Sequence, residues 1–96
     1  MNKLEGFWSI VETVEGQLTD EEYDRMGFDA SSSLGYGLAD EFADAVGFIR
    51  VESQSARDKV MRIIHNNVAL VPLGLEIRFF NHGDKDWFIV FMPAGL

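Results

Sequence analysis

The chain has 96 residues, 47% hydrophobic and 12% aromatic, which suffices for one modest core and a single domain over 1–96 but not for two. It contains no cysteine, which removes disulfides, thiolate metal sites and cysteine nucleophiles together and suits a reducing cytoplasm. A net charge of -8 disfavours attraction to nucleic acid or an anionic membrane, and would draw in a basic partner.

Residues 3–15, KLEGFWSIVETVE, carry β-branched Ile10, Val11, Thr13 and Val14, a strand signal. However, Leu4, Phe7, Trp8, Val11, Val14 and Leu18 fall within roughly a third of a helical wheel, with Glu5, Ser9, Glu12 and Thr13 away from it. The spacing predicts a helix, capped by Asn2 with Glu5 three residues on and stopped by Gly16. TDEEYD, residues 19–24, then sets four carboxylates in six positions. Thr19 suits an N-cap, Glu22 closes a capping box, Leu18 can staple onto Tyr23, and Gly27 can end the turn. Asp20, Glu21 and Glu22 lie where a helix dipole favours negative charge, so a short helix over about 20–26 accounts for the run. A calcium loop would need acids at alternate positions, then a glycine and a distant glutamate, which this run does not supply.

DASSSLGYG (29–37) reads as a loop. Leu38, Phe42, Ala45, Val46 and Ile49 then recur at helical spacing with Asp40, Glu41 and Asp44 on the other side. Gly35 and Gly37 would each cost about 1 kcal/mol inside a helix, so its regular part should start near Leu38. GFIRVES (47–53) reads as a strand. Ser55, with Asp58 three positions later, marks a helix start that buries Ala56, Val60, Ile63 and Ile64. Asp58 and Arg62 can pair one turn apart, and the asparagines of HNN (65–67) tolerate a left-handed cap. Pro72 and Gly74 make 68–74 an irregular or edge segment.

LEIRFFN (75–81) and WFIVFMP (87–93) flank HGDKD, which suits a hairpin with Gly83 and Asp84 near its tip. Residues 87–92 are apolar throughout, as in a central strand buried on both faces, while Glu76 and Arg78 mark a wetter face of its partner. The expected fold class is α+β: N-terminal acidic helices packed with a small, mainly antiparallel sheet ending in a C-terminal β-hairpin.

No stretch approaches the roughly 20 apolar residues of a membrane span, nor a signal peptide, so a soluble, cytoplasmic protein is expected. Signs of catalysis are thin. His65 falls at a predicted helix end and His82 in a hairpin turn, and two histidines without a defined acid partner make no zinc site. SSSLGYG is neither a nucleophile elbow nor a phosphate loop, and LGYG lacks the preceding strand of a dinucleotide fingerprint. Phe79, Phe80, Trp87, Phe88 and Phe91 suit core packing better than base stacking, because only Arg78 and Lys85 stand near them. Arg57, Lys59 and Arg62 should pair with the protein's own acids or with a second subunit. No catalytic, cofactor-binding or metal residue is assigned, and the chain is expected not to be an enzyme.

The charge is lopsided. Residues 1–49 hold eleven acids against Lys3 and Arg25, whereas residues 50–96 hold five acids against six bases. Carboxylates along helices can imitate a phosphate backbone, because arginine and lysine forks accept either group. The leading expectation is therefore an inhibitor that occupies the nucleic-acid site of a basic protein, with Glu12, Glu15, Asp20, Glu21, Asp24, Asp40, Glu41 and Asp44 as contacts. In size and charge the chain resembles small acidic phage counter-defence proteins, some anti-CRISPR proteins among them, a likeness that transfers no residue. An immunity protein or antitoxin against a basic nuclease toxin would use the same electrostatics. A structural or assembly subunit, possible as a homo-oligomer, would instead associate through apolar surface and depend little on salt.

Overall fold

The computed structural model describes residues 2–30, 42–83 and 85–95. The elements are α1 (Lys3–Glu15), α2 (Asp20–Asp24), β1 (Gly27–Ala30), β2 (Gly47–Val51), α3 (Gln54–Asn67), α4 (Leu70–Leu73), β3 (Leu75–His82) and β4 (Asp86–Pro93). The strands form one antiparallel sheet in the order β1-β2-β4-β3, an α+β architecture with a C-terminal hairpin. Gly83, at φ 71, makes the left-handed turn between β3 and β4 that a residue with a Cβ resists. No helix among the described residues is long and apolar enough to cross a membrane.

The apolar run in β4 alternates between two cores, as the two-residue strand period requires. Ile89 and Phe91 join Ile49 and Val51 of β2 in the larger core, under Phe7, Ile10, Val11 and Val14 of α1 and Val60, Ile63 and Ile64 of α3. Phe88 and Val90 join Phe48 on the opposite face, which is covered by Phe42 and Ala45. Both faces are therefore dry over β4, as expected of a strand with neighbours on both sides.

Several boundaries differ from the expected ones. The helix over 3–15 forms, and Asn2 caps it by accepting from the Glu5 amide at 2.8 Å, but its buried stripe is rotated. Ile10 is fully buried, while Leu4 and Trp8 remain 46% and 41% exposed. α1 packs on α3 and the sheet, where Ile10 joins the core of Ile49, Val60, Ile64 and Ile89, and Leu73 approaches the bare backbone of Gly6. The second helix ends at Asp24, and Gly27 opens β1 instead of closing a turn. Asp29 and Ala30 pair with Phe48 and Gly47, so these two residues of the loop expected over 29–37 are strand, and residues 31–37 lie outside the described region.

The expected helical repeat from Leu38 to Ile49 fails where it can be seen. Residues 38–41 lie outside the described region, Phe42 has a 3-10 conformation, 43–46 are turn, bend or irregular, and Ile49 sits fully buried in β2. Ser53, not Ser55, caps α3, because its extended backbone aims the hydroxyl at the Ala56 amide, 3.1 Å away. Asp58 pairs with Arg57 at 3.2 Å instead of Arg62. No described non-glycine residue is left-handed, so HNN makes no such cap; Asn67 instead donates to the Ile63 carbonyl and Val68 leaves extended. Residues 70–73 form the short α4, ended by Gly74 at φ 69.

Candidate functional site

The carboxylate-rich run is built by the junction of α1 and α2. Glu12 and Glu15 are exposed near the end of α1, whose last turn holds no basic residue. The chain reverses through Gln17 and Leu18, which donate to the Val14 and Glu15 carbonyls at 3.1 and 3.3 Å. Thr19 then starts α2 with a complete capping box: its hydroxyl accepts from the Glu22 amide at 3.1 Å and its own amide donates to Glu22 at 2.9 Å. This leaves Asp20, Glu21 and Asp24 exposed on α2, close in sequence to Glu12 and Glu15.

Not all the negative charge in TDEEYD is free. Glu22 turns inward to accept from Lys59 of α3, and that contact, helped by the Thr19 amide, lowers its pKa from 4.5 to about 2. Its role is structural, tying α2 to α3. Glu21 is held by Arg25 at 2.7 Å, an exposed pair one turn apart. Tyr23 stacks on Phe28 of β1 at 5.4 Å between ring centroids, which orients α2 against the sheet edge.

Of the eight expected contact residues, five are exposed on the consecutive helices α1 and α2: Glu12, Glu15, Asp20, Glu21 and Asp24. Asp44 is exposed, but it belongs to the 42–46 segment whose Phe42 and Ala45 cover the other face of the sheet from α1. Asp40 and Glu41 lie outside the described residues.

A groove of about 380 Å³ lies on the other face of the sheet and was not expected from sequence. Phe48 and Phe88 line it beside Asp29, Arg50, His82 and Asp86. Arg50 and Asp86 pair at 3.1 Å, Asp29 accepts from the Ala30 amide at 2.8 Å, and His82 stacks on Phe80. Cross-strand register assembles this set from all four of the strands described, which no local motif could reveal. It can hydrogen-bond a ligand, but Arg50 and Asp86 already engage each other and Asp29 holds a backbone amide.

A second groove, of about 420 Å³, runs between α2 and the start of α3. Its two cations, Arg25 and Lys59, already face Glu21 and Glu22. His65 is exposed in the last turn of α3, where its imidazole can face helix-terminal carbonyls. Among the described residues no three His, Asp or Glu side chains converge as metal ligands.

The chain matches no protein-family model, no curated protein and no solved structure.

Proposed function

We propose that the protein is a non-enzymatic acidic inhibitor that docks on a basic nucleic-acid-binding protein and occupies the surface where that protein holds phosphates. A phage counter-defence inhibitor is the setting that such chemistry fits. The supporting observation is the α1–α2 junction, where Glu12, Glu15, Asp20, Glu21 and Asp24 are all exposed. Among the described residues only Glu21 of these five has a salt-bridge partner, Arg25. Carboxylates on two short consecutive helices offer an arginine-rich surface the acceptors that a nucleic-acid strand would offer.

The test is affinity capture from host lysate at low and at moderate salt, using the wild type and an Asp20→Lys/Glu21→Lys/Asp24→Lys variant, followed by elution with DNA or RNA. The wild type should retain a basic protein that salt weakens and nucleic acid displaces, and the variant should lose it. Capture of the same protein by the variant, or indifference to competing nucleic acid, overturns the reading.

A further inference from the structure

The longer edge of the sheet is self-complementary. Among the described residues β3 has β4 on one side only, and it offers eight residues on the other, against four in β1. Which of its backbone groups face outward follows from the ladder. The Phe91 carbonyl accepts from Val46 at 2.7 Å, on the β2 side, so the backbone groups of Ile77, opposite Phe91, face away from β4. The Gly74 carbonyl accepts from Ala94 at 2.8 Å, which points Gly74 inward and Leu75 outward by the same alternation. Pro93 stands opposite Leu75, where β4 needs no donor. Leu75, Ile77 and Phe79 thus turn their amides and carbonyls to the open edge, and Arg78 Nη1 caps one of these, the Ile77 carbonyl, at 3.1 Å.

The side chains have the matching pattern. Leu75 and Ile77 pack towards the larger core, and Phe79, on the same face, lies under Arg57 of α3 yet is 50% exposed. Glu76 and Arg78 occupy the opposite face and pair with each other at 2.9 Å within the strand. An antiparallel copy of β3 laid along this edge with Ile77 facing Ile77 sets Glu76 opposite the other copy's Arg78, and Leu75 opposite its Phe79. Every outward amide of Leu75, Ile77 and Phe79 then meets an outward carbonyl. Moving the axis one residue, to Arg78 or to Glu76, would instead oppose like charges.

We infer that β3 pairs antiparallel with β3 of a second copy of this chain about a two-fold axis at Ile77, extending one sheet across two subunits. The interface is separate from the acidic α1–α2 surface, since α2 leads into β1 at the opposite edge of the sheet. The dimer would carry two such surfaces, one at each end.

The experiment is sedimentation equilibrium on the wild type, Glu76→Arg, Arg78→Glu, and an equimolar mixture of the two variants, with circular dichroism as the check on folding. The wild type should dimerise, and each variant alone should weaken dimerisation by about tenfold or more, because like charges then face each other twice. The mixture should regain a dimer of one copy of each variant, because all four cross-strand positions are again of opposite sign. A wild type that stays monomeric at millimolar concentration overturns the inference. So does a folded Arg78→Glu protein that dimerises as well as the wild type, or a mixture that does not re-associate. Loss of the lysate partner in the α2 variant without loss of the dimer would confirm that the two surfaces act separately.

Discussion

Gly47 lies directly against the ring of Phe7: a Cβ built on Gly47 would stand 2.6 Å from both Cε2 and Cζ. Phe7 is fully buried and meets Phe91 edge-on at 5.4 Å, so its ring has nowhere to withdraw. Gly47→Ala should therefore cost about 1–3 kcal/mol through overpacking, although alanine suits a strand better than glycine does. Thermal unfolding checks this, with about 4–8 °C expected per kcal/mol in a chain of this size. An unchanged midpoint would mean that α1 is not seated on β2 as described.

The contact between Glu22 and Lys59 predicts a dependence on acid. The Glu22 carboxyl titrates near 2 in the folded chain against an ordinary 4.5, so its ionised form is favoured by folding. That contribution is complete above the ordinary value and is lost as pH falls from 4.5 towards 2. Glu22→Gln should be less stable than the wild type at neutral pH, and the difference should shrink across that window. Denaturant titrations at several pH values measure it, and a gap that persists at pH 2 contradicts the assignment.

Arg57 lies over two rings of the hairpin, 4.9 Å from the centroid of Phe79 and 5.1 Å from that of Trp87. Its alkyl stem and guanidinium fasten the first turns of α3 to β3 and β4. Arg57→Ala should destabilise by about 1–2 kcal/mol and shift the fluorescence of Trp87. Arg57→Lys, which keeps the charge but loses the planar stack, should fall between the two. The Trp8→Phe background isolates the Trp87 signal.

Phe42 closes the smaller core, where it is 4% exposed and meets Phe80 edge-on at 5.7 Å between centroids. Phe42→Ala should cost about 3–5 kcal/mol, as for a buried aromatic side chain, and not the few tenths expected of a loop residue. Chemical denaturation decides between these magnitudes.

The elements legible in the sequence were those specified locally. Thr19 and Glu22 announce their capping box within four residues, and residues 87–92 announce a doubly buried strand because every side chain is apolar. The hairpin follows from the turn residues between two apolar runs. β1 left no such trace: its four residues, Gly27–Ala30, become a strand only through pairing with β2 across a long connection. The same non-local cause hid the orientation of α1, whose stripe faces α3 and the sheet, and the helical spacing of Phe42, Ala45 and Ile49 was a coincidence of two cores. Of the acidic residues, sequence showed the cluster but not its division of labour. That Glu22 would turn inward depended on Lys59, 37 positions away.

The position of β4 also orders the events of synthesis. It is the latest of the four described strands to be made, yet among the described residues it alone joins the β1–β2 pair to β3. Until it leaves the ribosome, Phe48 and Ile49 lack the strand that completes their surroundings, and the nascent chain presents sticky surface to whatever is near. Cooperative folding must wait for β4, so ribosome stalling before Asp86 should leave a chaperone-dependent, protease-sensitive intermediate, whereas stalling on an added C-terminal linker long enough to carry Pro93 clear of the ribosome should not.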